Sequence, residues 1–166
     1  PVRPEGVVHV YSRDADGGFN YEMALQAGNA TAGDRFGEVI HLEGATALIS
    51  APAWNDDYAG LESVGRVVEF QLEDGVWVES GTLPFFADSA ASFGHALSVN
   101  GSEVLVGAPG AHRSRGAIFA YEKRLGEWTP TRVLRLAEGQ VGDRFGSGLA
   151  HSGDEVWVGA PAQRRS

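Results

Sequence analysis

The stretch of this chain that gathers side chains capable of chemistry is the connection from Ala53 to Val64, AWNDDYAGLESV, where Trp54, Asp56, Asp57 and Tyr58 stand together. An aromatic ring beside carboxylates can stack on a sugar while accepting hydrogen bonds from its hydroxyls, or it can anchor a protein partner. The segment is twice as long as its counterpart Gly110 to Arg115. Long loops on a rigid scaffold are where binding residues gather, so these four are the expected partner-binding residues.

Other chemistry is poorly provided for. The sequence has no cysteine, which removes disulfides, thiolate zinc ligands and thiol nucleophiles together. Histidines 9, 41, 95, 112 and 151 are scattered and read as structural. No G-x-S-x-G elbow, H-E-x-x-H pair or phosphate-binding glycine loop is written in the sequence. The acidic run Asp14-Ala15-Asp16-Gly17-Gly18 suggests a metal loop at first sight, but Asp and Gly are also what a hairpin turn requires. The expectation is therefore a protein without catalytic residues, bound metal or cofactor.

Charge narrows the partners. A formal net charge of -9 over 166 residues opposes a phosphate backbone, so nucleic acid is not expected. No apolar run reaches the roughly 18 residues of a membrane span.

The elements that must position the loop are written as a repeat. Phe36 to Pro52 reads FGEVIHLEGATALISAP, Phe93 to Pro109 reads FGHALSVNGSEVLVGAP, and Phe145 to Pro161 reads FGSGLAHSGDEVWVGAP. Each has Phe-Gly, an alternating apolar run, a turn at Gly44, Gly101 or Gly153, and a second run closing on Ala-Pro. That is the pattern of a β-hairpin. A second paired pattern accompanies each hairpin, opening at Gly6, Gly65 and Gly116 and reaching an aromatic at Tyr11, Phe70 and Tyr121. Another aromatic, Phe19, Trp77 or Trp128, follows the next turn.

Twelve strands are predicted, at about 7–12, 20–26, 37–42, 47–51, 67–72, 76–82, 94–99, 103–108, 117–123, 127–136, 146–151 and 155–160, with no helix. The periods of 57 and 52 residues between phenylalanines suit units of four short strands, the size of a propeller blade. The fold class is all-β: four-stranded antiparallel blades in about three repeats (6–64, 65–115 and 116–166) forming one region, 1–166. Trp77, Trp128 and Trp157 are expected to pack between blades.

Phe-Gly, a turn, Gly-Ala-Pro and then Gly-x-Val/Ile-x-x-aromatic resembles the FG-GAP repeat of integrin α-subunit propellers and of secreted bacterial proteins. The residues that carry the resemblance are Phe36, Gly37, Ala51 and Pro52; Phe93, Gly94, Gly107, Ala108 and Pro109; and Phe145, Gly146, Gly159, Ala160 and Pro161. Ser50 departs from the glycine of the other copies. Calcium-binding members of that family carry an Asp-rich loop inside the hairpin. Here the same place holds EGATA, NGSE and SGDE, too short to offer six to eight oxygens, so the metal is not carried over.

The resemblance implies a blade starting at Phe-Gly, hence two whole blades, from 36 and from 93, and two complementary half blades at the ends. It also implies an extracellular or periplasmic binding or scaffold module that presents loops to a protein partner. A carbohydrate-binding propeller, with Trp54 and Tyr58 stacking and Asp56 and Asp57 accepting hydroxyls, is the alternative; an enzyme on the scaffold ranks third. The chain opens on Pro1 rather than Met. With the half blades, this reads as an excerpt of a larger ring or as a homodimer closed through the halves.

Overall fold

The structure is a computed structural model that describes residues 6–56, 60, 63–85 and 91–164. Among the described residues there are twelve strands, each within a few residues of its predicted place. They are β1 (Val8–Arg13), β2 (Phe19–Leu25), β3 (Ile40–Glu43), β4 (Thr46–Ala51), β5 (Arg66–Glu73), β6 (Val76–Thr82), β7 (Ala96–Asn100), β8 (Glu103–Ala108), β9 (Ala117–Arg124), β10 (Glu127–Leu134), β11 (Gly148–Ser152) and β12 (Glu155–Gly159). Tyr21 and its neighbours, the best helical stretch by composition, lie in β2.

Two four-stranded antiparallel sheets, β3-β4-β5-β6 and β7-β8-β9-β10, are flanked by the two-stranded sheets β1-β2 and β11-β12. Within each sheet, spatial neighbours are consecutive in sequence, so the sheets are simple antiparallel meanders without a crossover. The two complete sheets share one register: Ala47 pairs with Phe70 as Val104 pairs with Tyr121. All three outer pairs carry a bulge at the same repeat position, opposite Val10/Tyr11, Glu69/Phe70 and Ala120/Tyr121. By these registers β1-β2 is the outer half of such a sheet, and β11-β12, whose Gly148–Gly159 pairing repeats Ala96–Gly107, is an inner half.

The sheets are joined face to face by backbone as well as by side chains. Gly65 bridges in parallel to Phe93, and Gly116 to Phe145. Phe93 N donates to Val64 O at 2.9 Å and Phe145 N to Arg115 O at 3.0 Å. All three glycines sit at positive φ, 90° for Gly6, 86° for Gly65 and 88° for Gly116. A Cβ at each would stand 2.4, 2.2 and 2.0 Å from the carbonyl oxygen of Phe36, Phe93 and Phe145. Glycine is thus demanded twice over, by the backbone angle and by the space.

Three apolar clusters fill the joints. Val8, Leu25, Phe36, Ile49, Val68 and Phe70 bind β1-β2 to the first complete sheet. Leu48, Val67, Phe93, Val104, Val106 and Tyr121 bind the two complete sheets, with Phe85 stacked on Phe93 at 4.1 Å between centroids. Leu105, Ile118 and Ala120, with Phe145, Leu149 and Val158, bind the second to β11-β12. Trp77 and Trp128 pack against these clusters as expected. Trp157 lies on its strand but stands largely exposed, since among the described residues β12 is paired on one edge only.

One helical turn, Ala111–Ser114 (α1), interrupts the otherwise all-strand order. His112, Arg113 and Ser114 have φ of 53°, 62° and 61°, so the turn runs left-handed. Three consecutive non-glycine residues there cost about 1–2 kcal/mol each. The turn turns its carbonyls to the next repeat: Ser114 O accepts from Gly142 N and Arg144 N at 3.1 and 2.9 Å.

Replacing Gly116 by Ala is expected to cost about 3 kcal/mol or more in urea unfolding, since the strain and the clash add. Gly75→Ala, also at positive φ (84°) but facing open space, should cost about 1 kcal/mol. Equal losses at the two positions would show that the glycine contact does not hold the sheets together.

Candidate functional site

Two groups of residues deserve comparison: the sequence-predicted loop and a polar cluster to which all three hairpins contribute. The loop leaves β4 through the buried Pro52. Trp54 then turns back: its N donates to Ala51 O at 3.1 Å, its carbonyl accepts from Gly65 N at 3.0 Å, and its half-buried ring packs on the first cluster. The Arg66 guanidinium lies over that ring, 5.1 Å from its centroid, and also donates from Nη2 to Gly28 O at 3.0 Å. Burial pulls the Arg66 pKa below its ordinary value, against the raising influence of Glu79 and Asp34.

Asn55 closes the base of the loop by accepting from Ser63 N at 2.7 Å. Trp54 and Asn55 therefore fasten the base, and Asp56 stands where the tip begins. Asp57 and Tyr58 lie outside the described residues. Of the four predicted residues, the structure thus places Trp54 in the wall of its own sheet and Asp56 beside it in the loop.

The polar cluster arises from the repeat. In each copy the residue before Phe has positive φ, 62° at Arg35, 51° at Ser92 and 58° at Arg144. This αL turn swings the chain from the approach segment into the hairpin. Two residues after Phe stand Glu38, His95 and Ser147, whose N–H groups return to Arg35 O, Ser92 O and Arg144 O. Arg35 Nη2 donates to Glu38 Oε1 at 2.5 Å, and Ser147 Oγ to Arg144 O at 2.7 Å. His95 is held below its ordinary 6.5 chiefly by desolvation, then by the positive charge of Arg144, with Glu38 opposing and Arg35 reinforcing. Two cations, one carboxylate and one imidazole kept neutral can bind polar groups. They do not form a nucleophile and base.

Under this cluster lie two carboxylates that composition did not single out. Asp34 and Asp143 are buried two residues before Phe36 and Phe145. Asp34 accepts from Thr31 N at 2.7 Å and Thr31 Oγ at 2.6 Å, and Asp143 from Gln140 N at 2.7 Å. Their own carbonyls accept from Ala53 N and Ala162 N. They are turn-fixing groups, and the twice-written Gly-Asp-Arg-Phe-Gly was the signal that could have found them. Ala91 takes the same place in the middle copy and keeps the backbone bond, from Gly110 N at 3.0 Å.

A cavity of about 390 Å³ opens between the complete sheets, lined among others by His41, Glu43, Ser102, Lys123 and Trp128. From this wall the half-buried Lys123 pairs through Nζ with the buried Glu69, to which Gln71 Nε2 also donates at 2.8 Å, and Lys123 Nζ lies 5.4 Å from the Trp128 ring. Asp14, in the acidic loop at 14–18, spends its Oδ1 on Asp16 N and Gly18 N at 3.1 and 2.7 Å, the bonds of a tight turn. Among the described residues no three His, Asp or Glu side chains converge as a metal cage.

No protein-family model matches the chain, and no curated protein matches it.

Two outcomes are expected. In the folded protein the His95 imidazole should titrate below 6.5 by NMR, and its midpoint should rise in Arg144→Gln. The unfolded chain then binds the proton more readily, so His95's share of stability is complete above about pH 6.5 and is lost as pH falls toward the folded value. A midpoint above 6.5 would refute the cluster's electrostatics. Separately, Lys123→Met alone should destabilise by about 3 kcal/mol by stranding Glu69, whereas Glu69→Leu with Lys123→Met should recover most of the loss in a double-mutant cycle.

Proposed function

We propose that this chain is a non-enzymatic binding or scaffold module, built of FG-GAP-like propeller blades, which meets a protein partner through its loops as part of an exported assembly. The resemblance of the three Phe-Gly to Ala-Pro hairpins supports the family and the extracellular or periplasmic setting. The observation that carries the reading is the construction of the Ala53–Val64 loop. Its base is fastened on both sides, by Trp54 against the core and by Asn55 on Ser63, and Asp56, Asp57 and Tyr58 follow in the sequence.

A loop held this way meets a partner with little conformational entropy left to lose at its base. The acidic and aromatic residues that follow Asn55 in the sequence suit a partner surface with basic and apolar groups. Trp54 is better regarded as the post that supports the tip than as a stacking platform, since Arg66 already lies over its ring. That contact favours a protein partner over a sugar.

The test is affinity capture from the native source with the intact chain, followed by mass spectrometry. A chain with Asp56→Ala, Asp57→Ala and Tyr58→Ala together should melt within about 2 °C of the parent and lose a specific partner by tenfold or more, the size expected when one or two dominant contacts go. Undiminished capture by the triple variant would overturn the loop assignment. Catalytic turnover by the purified chain would overturn the non-enzymatic reading.

A further inference from the structure

The same sequence pattern is buried in one place and exposed in another. β8 reads EVLVGA from Glu103, and Val104, Leu105 and Val106 are at most 2% exposed. From Glu155 the chain reads EVWVGA, yet Val156 is 39% and Trp157 72% exposed. The outer pairs repeat the contrast. Tyr121 of β9 is 1% exposed, and Tyr11, at the same repeat position in β1, is 55% exposed.

The difference lies in the neighbours. β8 is hydrogen-bonded on both edges and β12 on one; β9 is paired on both edges and β1 on one. A further patch adjoins the unpaired edge of β1. Ile40 and Leu42 of β3 are 49% and 62% exposed, and with Val8, Val10, Tyr11 and Trp77 they line a groove of about 200 Å³. Their counterparts Leu97 and Val99 in β7 are packed into the central cluster. Core residues are thus present on both edges without the strands that cover them elsewhere in the chain.

We infer that a second copy of this chain docks through these edges, the β11-β12 hairpin of one protomer pairing with β1 of its partner to complete a four-stranded sheet. The two complete sheets dictate the register, because they agree with each other. Glu103 faces Glu122 and Gly107 faces Ile118, just as Thr46 faces Gln71 and Ser50 faces Val67. Transferred by repeat position, Glu155 faces the partner's Ser12, Val156 its Tyr11, Trp157 its Val10 and Gly159 its Val8.

One residue further along, Asp154 meets Arg13, in the place where Lys123 N donates to Ser102 O. The exposed ends of the two edges are therefore of opposite charge. Placed there, the hairpin also overlies Ile40 and Leu42, as β11 overlies β7 in this chain. In a two-fold pair the joint occurs twice. Unpaired apolar strand edges seldom stand free in water, since they template pairing with other chains.

The absence of cysteine makes the register testable. Chains carrying Ser12→Cys and Glu155→Cys are purified separately, mixed and mildly oxidised. A disulfide-linked pair of the two chains is expected from the mixture and from neither alone, while Arg13→Cys mixed with Glu155→Cys, one residue out of register, should link far less. Sedimentation of the parent at about 50 μM should show two chains of 17.6 kDa, and Trp157→Asp should weaken that association by about 30-fold or more. A monomer at that concentration would overturn the proposal and assign the edges to a different strand. Equal linking in the slipped pair would also overturn it. Partner capture by the 53–64 loop is read independently, so either proposal can fail while the other stands.

Discussion

The structure depends on the close parallel approach of one glycine backbone to one phenylalanine backbone at each joint. Gly65 and Gly116 come so near Phe93 and Phe145 that no Cβ fits between them, and Gly6 stands likewise against Phe36. The contact lets a mainchain bond cross from one sheet to the next, from Phe93 N to Val64 O and from Phe145 N to Arg115 O. Sheets joined only by side chains can slide. These resist it, because a slip would break that bond, and at Val64 and Phe93, both buried, it would leave an N–H and a carbonyl unpaired at roughly 1–3 kcal/mol each. The left-handed residues before each Phe and the turn-fixing Asp34 and Asp143 serve this contact by delivering the Phe backbone to its glycine.

Around that constant the joints differ. The joint of the two complete sheets holds the aromatic group of Phe85, Phe93, Phe119 and Tyr121, and the tyrosine hydroxyl donates to Pro84 O at 2.9 Å. It alone carries the Glu69–Lys123 pair. At the joint before it the aromatic contact reduces to Phe36 and Phe70, and the central joint itself holds Ser50 where the other copies have glycine. That serine is tolerated because its hydroxyl accepts from Val39 N at 3.0 Å and its Cβ lies against Gly94, which has none of its own. At the next joint Gly107 has no such freedom, since a Cβ there would stand 2.1 Å from Gly146 O.

Strand positions were legible in the sequence because they follow from two local signals, apolar alternation and glycine turns, read three times over. Phe36 and Phe93 were equally legible as core, since recurrence in register is how packing residues behave, whereas their counterpart Phe145 packs only partly buried against the third cluster. Interactions between repeats were not. Glu69 and Lys123 are 54 positions apart, and no periodicity links a glutamate on β5 to a lysine on β9. The left-handed turn at His112 to Ser114 was hidden for a related reason, its conformation being imposed by Gly142 and Arg144 across the joint. Trp54 was visible as unusual in its loop, but the cover of its ring by Arg66, twelve residues on, is a tertiary contact that no local pattern announces.

Trp157 shows where reading by repeat meets its physical limit. Its position in the pattern is that of Leu48 and Leu105, both nearly fully buried, and from pattern alone it belongs to the core. Pattern records what a residue's place in a complete sheet would bury; exposure records which neighbours are present. Where the two agree, as in β4 and β8, the sheet is complete. Where they disagree, as in β1 and β12, the disagreement marks a surface on which about 25 cal/mol of burial free energy per Å² of apolar area is still ungained. The disagreement gathers at the two edges, in β12 at one and in β1 with Ile40 and Leu42 of β3 at the other. The two unsatisfied edges are moreover opposite halves of the same four-stranded unit, so one contact can satisfy both.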